Sequence, residues 1–469
     1  MKRSLLPLVA ALLLGGCSLV PKYTPPEPPV PDTWRAPEAA AAGATAVADT
    51  EWREFFTDEK LRSIIGAALE NNRDLRVATL NVQRAQELYR IQRSELNPGI
   101  GVQAIGDINR VPEKTTGTGH GRTAETYTVL AGTLNWEIDF FGRLRSLKEA
   151  ALEQYLATRE GAGAAQIALV SAVARTYLAL AADAENLQIA RGTLEAQQAT
   201  FDLIRQSSEL GIASDVDMRQ AQSQVNASRA DVAHFTGLVA VDRNALELLA
   251  GTPLGDELLP AELAEVASGD ALAPGIPSEV LLRRPDILAA EHQLKAFNAN
   301  IGAARAAYFP RISLTAGAGT LSNDLSDLFS QGTGTWTFTG QLLTPIFASG
   351  SLRAGVRAAQ VDREIAVAQY ERTIQAAFAE VSDSLTLRRT LVDQRDALED
   401  LVFSLSETFR LSEARYNAGL DGYLNVLVAQ RSLFAAQQAL VQAQFAEQAN
   451  LVTLYAALGG GRAAATEED

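Results

Sequence analysis

The chain has 469 residues, a formal net charge of −15, one cysteine and three histidines. The acidic balance argues against a nucleic-acid binder, because phosphates recruit basic surfaces. A lone cysteine excludes an internal disulfide, and His120, His234 and His292 are too scattered for a metal cluster or a histidine-based triad.

The first segment, residues 1–16, reads as a signal peptide. Lys2-Arg3 is its charged start, and Leu5 to Leu14 is an apolar run too short to span a bilayer. It ends in Leu14-Gly15-Gly16-Cys17, which looks like a bacterial lipobox. Cys17 is then the lipidated first residue, carrying an N-acyl chain and an S-diacylglycerol; the plainer alternative is secretory cleavage beside an incidental cysteine. Ser18 at the next position suits delivery of a lipoprotein to the outer membrane. No later stretch of 18 uninterrupted apolar residues occurs, so no transmembrane helix is expected in the mature chain. Residues 17–50, rich in proline and alanine, read as an extended lipidated tether.

The rest is nearly written twice. Gly142, Gly211 and Gly251 return as Gly350, Gly419 and Gly459, each 208 positions later, and Pro98 returns as Pro310, 212 later. A unit of about 200 residues is far longer than a solenoid repeat. Repeat 1 covers 51–274 and repeat 2 covers 275–462, with a disordered tail expected at 463–469.

Each repeat opens on a helical segment, Leu61 to Glu95 and Ser278 to Tyr308, with apolar residues such as Ile64, Ile65, Ala68 and Leu69 at helical spacing. Pro98 and Pro310 follow. The period then changes to two. Strands are predicted at about 99–110, 124–138, 311–321 and 335–347, each of about ten residues or more, long enough to cross a membrane at a tilt. Polar Gly/Thr-rich loops join them in pairs. Tyr127, Trp136, Phe140, Trp336 and Phe347 sit near strand ends, as in an interfacial girdle. A half-buried sheet on a soluble core is the alternative. If the strands span, four of them cannot close a barrel, so the protein must oligomerise.

From about Arg143 to Glu209, and from about Ser351 to Asn417, there is no proline and no turn cluster. Each run makes a helix of about 100 Å if continuous, which implies coiled-coil packing. Gly161 and Gly163 read as close-packing points or a local bend. The tip turns, about 208–217 and 416–425, carry Gly211 and Gly419, which suit a left-handed helix end. Return helices follow, from about Val216 to Leu249 and Tyr423 to Leu458. No enzyme signature is present. Glu291-His292 does not extend into a metalloprotease motif, and Gly117-Thr118-Gly119-His120-Gly121 lacks the strand-to-helix context of a phosphate loop.

Taken in order, the lipobox, Trp52-Arg53-Glu54-Phe55-Phe56, Asn71-Asn72-Arg73-Asp74-Leu75, Asp139-Phe140-Phe141-Gly142-Arg143-Leu144-Arg145, Arg283-Arg284-Pro285-Asp286-Ile287 and the two glycine turns resemble the TolC family of outer-membrane channels. Within it the likeness is to the OprM-like lipoproteins of tripartite drug-efflux pumps. The resemblance implies a mainly α protein with a membrane β part. It implies a homotrimer forming a twelve-stranded β-barrel continuous with a periplasmic α-helical barrel. Its function would be a passive exit duct, coupled through a periplasmic adaptor to an inner-membrane RND-type transporter, with no cofactor beyond the lipid. Adaptor contacts are expected at Gly211, Ile212, Gly419 and Leu420. Tyr416 and Asp217 match the positions of a tip hydrogen bond that holds the duct closed. The chain departs from the family where Asn425 and Val428 occupy acidic ring positions and Asp421 an arginine position. An apolar constriction at Leu424, with Asp421 as the nearest acidic ring, replaces them; the alternatives are that Leu424 packs within the helical barrel and Asp421 caps the return helix. A protein-secretion channel, or a lipid-anchored scaffold without a pore, are the rival readings of function.

Overall fold

The computed structural model describes residues 18–31, 33–34, 51–112, 122–263, 266 and 278–461. The signal segment, Cys17, much of the tether, the tip of the first hairpin with His120, and the C-terminal tail lie outside them. The elements run α1 (Trp52–Phe55), α2 (Glu59–Asn71), α3 (Arg73–Ser94), β1 (Gly99–Val111), β2 (Arg122–Ile138), α4 (Arg143–Glu209), α5 (Asp215–Ala250), α6 (Pro285–Ala306), β3 (Arg311–Ser322), β4 (Gly334–Leu343), α7 (Ser351–Asn417) and α8 (Tyr423–Ala457). Both long helices are continuous over 67 residues. The chain divides into two compact units, each drawing on both repeats rather than one unit per repeat.

The first unit, from residues 1–27, 81–159 and 289–371, holds the sheet. Its strands lie in the order β1-β2-β3-β4, all antiparallel neighbours. Ile100 and Val102 of β1 and Trp136 of β2 share one apolar face with Ile312 and Leu314 of β3 and Phe338 and Leu342 of β4, as the pairing and a period of two require. β4 stops at Leu343 rather than at 347 because Pro345 has no N–H to give to the ladder. The turn from β2 into α4 is built by the Asp139–Arg145 motif. The Asp139 carboxylate accepts the N–H groups of Leu144 and Arg145 at 3.1 and 2.9 Å, satisfying donors a helix start leaves open. Arg143 forks onto Glu137 at 2.9 and 2.8 Å, and Phe141 stacks on Phe309 with ring centres 4.6 Å apart. Residues 19–23 are strapped to α6: Asn298 donates to Pro21 O at 2.8 Å, Arg305 to Leu19 O at 3.2 Å, and Tyr23 to Glu291 at 3.2 Å. This part of the tether is bound, not free.

The second unit, from 28–80, 160–288 and 372–469, is helical. Phe55 and Phe56 are fully buried, and Phe55 stacks flat on Tyr455 at 3.9 Å. The segment expected as one helix from Leu61 to Glu95 breaks at Asn72. Its side chain accepts from Leu75 N at 2.9 Å and donates to Leu249 O at 2.9 Å. This capping and the tertiary bond outweigh the modest gain of continuing the helix. The second opening segment likewise begins as a 3-10 turn, Ser278–Arg283, and becomes α-helical at Pro285, a residue that favours the first helical position. Gly163 lies where a Cβ would stand 3.5 Å from Pro285, a close-packing point, whereas Gly161 faces open space. α4 also contains an 18-residue window of mean hydropathy 1.5, half buried, which by length and composition suffices to cross a membrane.

Candidate functional site

Both tips lie in the helical unit and share one backbone closure. At the end of α4 the Ile212 N–H donates to Ser207 O at 2.8 Å and the Gly211 N–H to Ser208 O at 2.9 Å. At the end of α7 the Leu420 N–H donates to Arg415 O and the Gly419 N–H to Tyr416 O, both at 2.9 Å. This paired closure is the Schellman motif, which requires a left-handed residue; Gly211 and Gly419 supply it at φ 73° and 69°. Leu210, Ile212 and Leu420 stand largely exposed beside these glycines.

The side chains are not equivalent. Ser214 caps α5: its Oγ accepts the Asp217 N–H at 3.1 Å and donates to the Asp217 carboxylate at 2.7 Å. Among the described residues no hydrogen bond joins Tyr416 to Asp217, the bond that the resemblance implies; Asp217 acts on Tyr416 through its charge alone. Asp217 is close enough for its charge, after burial, to push the Tyr416 hydroxyl up. The cap residue before α8 is Gly422, which has no side chain to cap with. Asp421 does not cap it either. Arg415 clamps the Asp421 carboxylate at 2.6 and 3.2 Å. That bond and one from Asn425 hold the carboxyl below its ordinary range. Sequence reasoning missed Arg415; a cation in the last turn before an acid in the same loop is the signal that was there.

Between the tips Ile204 and Ala221 of repeat 1 pack with Tyr423, Val426 and Leu427 of repeat 2, flanked by Phe201, Met218, Phe409 and Tyr416. The Tyr423 hydroxyl is buried without a hydrogen-bond partner and pushed up to about 12 by burial. Leu424 points elsewhere. It is 56% exposed beside Tyr423 at 3%, and Val428 one turn on is equally exposed. Leu424 is thus not part of its own chain's core.

Higher in the α4/α5 hairpin, Asp183 and Asp242 lie close enough for each carboxyl to bear on the other, and Asp242 Oδ2 is buried without a hydrogen-bond partner. They are nearly equidistant from the Ile212 turn, which is how the sequence could have revealed them. Burial, then the proximity and charge of Asp183, push the Asp242 carboxyl up to about 6; Asp183 is raised too, by burial, with Asp242 and then His234 opposing. A carboxyl raised in the folded state binds more protons there than in the unfolded chain. Its contribution to stability is full below the ordinary aspartate range and is lost as pH rises through about 6. The melting temperature in detergent should therefore fall between pH 4 and pH 6.5 more steeply for the natural chain than for Asp242→Asn; parallel curves would refute the raised carboxyl. Among the described residues no group of three or more His, Cys, Asp or Glu could hold a metal.

Comparison with known proteins agrees with this frame. The profile of the family described as "Outer membrane efflux protein" matches residues 64–252 and 276–460, one stretch in each repeat. The antibiotic efflux pump outer membrane protein ArpC of Pseudomonas putida is 45% identical over 472 residues, covering 98% of this chain and 96% of that protein. The toluene efflux pump outer membrane protein TtgC of the same species gives the same figures. Among solved structures, the open state of the Neisseria gonorrhoeae MtrE outer membrane channel aligns with a TM-score of 0.85 at 35% identity, over 95% of this chain and 98% of that one.

Proposed function

The chain belongs to the outer membrane efflux protein family, and on that premise we propose that three copies of it build one continuous duct, gated at its tips. It is an outer-membrane efflux channel, the exit component of a pump, and not an enzyme. The observation that carries the trimer is the open sheet. Among the described residues β1 and β4 are each paired on one side only, and lipid does not tolerate an unpaired edge. Three sheets of four strands make a closed barrel of twelve. Cys17 carries the lipid that adds a second hold on the outer membrane.

The tips are the gate and the docking site. The exposed side chains beside Gly211, Ile212, Gly419 and Leu420 meet a periplasmic adaptor, which links the duct to an inner-membrane RND-type transporter that supplies the energy. Around the threefold axis Leu424 narrows the duct, with Asp421 and Asn425 forming the polar ring next to it and Tyr416 and Asp217 supporting the closed packing. Adaptor contact shifts the population toward the open tip by binding it better than the closed one. The name of one relative speaks of antibiotics and of the other of toluene, which supports small, largely apolar cargo for this duct. In planar bilayers the purified protein should conduct weakly, and Leu424→Ala with Asp421→Ala should raise single-channel conductance. No conductance from either protein would refute the duct; equal conductance would refute the gate.

A further inference from the structure

The seam between the two repeats near the tips is not uniformly apolar. Ile204 at the end of α4 and Tyr423 at the start of α8 belong to one buried cluster. Seven residues up both helices, Gln197 donates to Gln430 Oε1 at 2.6 Å. Two polar atoms of this seam are shut off from solvent without a hydrogen-bond partner, Gln197 Oε1 and the Tyr423 hydroxyl. Gln197 at least uses its amide nitrogen; Tyr423 makes no side-chain bond at all. The other buried members of its cluster, Ile204, Ala221, Val426 and Leu427, carry no polar side-chain atom. Its ring lies against Tyr416, with centres 5.6 Å apart, yet its hydroxyl finds no acceptor there. The turn does not demand this. The counterpart of Tyr423 in repeat 1, 208 positions earlier, is Asp215, which is exposed.

A buried hydroxyl without a partner has given up its bonds to water and gained none in return. It shifts the equilibrium away from whatever packing buries it, by about tenfold or more. We propose that the Tyr423 hydroxyl works against the closed tip, as a built-in bias toward opening. The proposal rests on the gated-duct reading above and deepens it.

When the start of α8 parts from α4 and α5, water reaches the hydroxyl and the penalty is lifted. The group therefore stabilises the open tip relative to the closed one. Its sign is opposite to that of a latch. Tyr416 and Asp217 support the closed packing, so weakening them favours opening; removing the Tyr423 oxygen favours closure. A binding partner shifts a two-state equilibrium only by its differential affinity for the two states. A closed tip that carries its own penalty asks correspondingly less of the adaptor. The remaining apolar contacts of Tyr423, with its ring 3% exposed, are what keep the tip closed in the absence of that partner. One side chain thus supplies both the packing that closes the seam and the polar atom that limits how firmly it closes.

Tyr423→Phe tests this, because it removes the oxygen and keeps the ring. The full-length protein is recorded in planar bilayers with and without the change. The change is also placed in the Leu424→Ala, Asp421→Ala variant, where openings are frequent enough to count. In both backgrounds Tyr423→Phe should lower the fraction of time spent open about tenfold, with a melting temperature in detergent no lower than before. Tyr177→Phe supplies the contrast. Tyr177 is 2% exposed, but its hydroxyl donates to Asp58 at 3.2 Å. Its loss should lower the melting temperature, because a buried acceptor is left unpaired, and leave the open fraction as it was. If Tyr423→Phe raises the open fraction or leaves it unchanged, while the Leu424→Ala, Asp421→Ala variant conducts more than the natural chain, the bias is wrong and the gate stands. If that variant and the natural chain conduct alike, the gate itself fails and takes the proposal with it.

Discussion

Arg284→Ala should cost the helical unit about 3 kcal/mol, toward the lower end of what breaking a buried charge network costs. The Arg284 side chain is 10% exposed. Its guanidinium forks onto Asp286 at 3.0 and 2.7 Å, reaches Glu380 at 3.0 Å, and donates to Ala457 O at 2.7 Å. Three helices thus meet on one cation: the start of α6, the middle of α7 and the end of α8. Asp286 and Glu380 are 37% and 54% exposed, so water can take them back, which keeps the cost below the upper limit. The Ala457 carbonyl at the end of α8 loses a charged donor placed where a helix dipole favours positive charge. Arg284→Lys keeps the charge but not the planar fork, and should recover about half the loss. Helical circular dichroism through a thermal melt in detergent reads both; if lysine and alanine cost the same, the fork is not what holds the junction.

Arg284 also marks a limit on what could be read from the sequence. The long helices were legible because a run without proline or turn residues leaves the backbone nothing else to do; both ran as expected to Glu209 and Asn417. The tips were legible because a left-handed helix end selects glycine. The strand faces were legible because the period of two survives in β1, β3 and β4; the extra residue Ala131, which the β2–β3 ladder skips, was not legible, and Pro345 ends β4 early. The break at Asn72 was not legible. Asn71-Asn72-Arg73-Asp74-Leu75 carries no residue that forbids helix, and what breaks it is a carbonyl 177 positions away, Leu249 O. The clamp of Arg415 on Asp421 was missed for a related reason. Capping an adjacent helix and pairing with a cation in the preceding one are equally open to an acid in a turn, and only the side-chain geometry decides between them. Motifs that carry the family resemblance in the sequence, such as Asp139 to Arg145 and Arg283 to Ile287, are joints between elements.

Gly251→Ala should be far more damaging than Gly419→Ala, and the comparison isolates why. The two residues have the same left-handed backbone, φ 70° and 69°, so each substitution pays the steric cost of that conformation, about 1–2 kcal/mol. Their surroundings differ. A Cβ on Gly419 meets nothing within 4 Å, whereas one on Gly251 would stand 2.5 Å from Asn71 O and 2.7 Å from Asn71 C. These are backbone atoms at the break between α2 and α3, and they cannot swing aside as a flexible side chain would. The Asn72 bond to Leu249 O lies at the same joint, so pushing the break away from the end of α5 also loosens that cap. The added overlap should cost about 1–3 kcal/mol, placing Gly251→Ala well above Gly419→Ala in thermal melts of the detergent-extracted protein. Equal losses would mean the joint yields freely. The second repeat offers the internal comparison, because a Cβ on the counterpart Gly459 would stand 3.6 Å from Arg284 Cγ, an ordinary contact. Gly459→Ala should therefore behave like Gly419→Ala, although it occupies the duplicate of the Gly251 position.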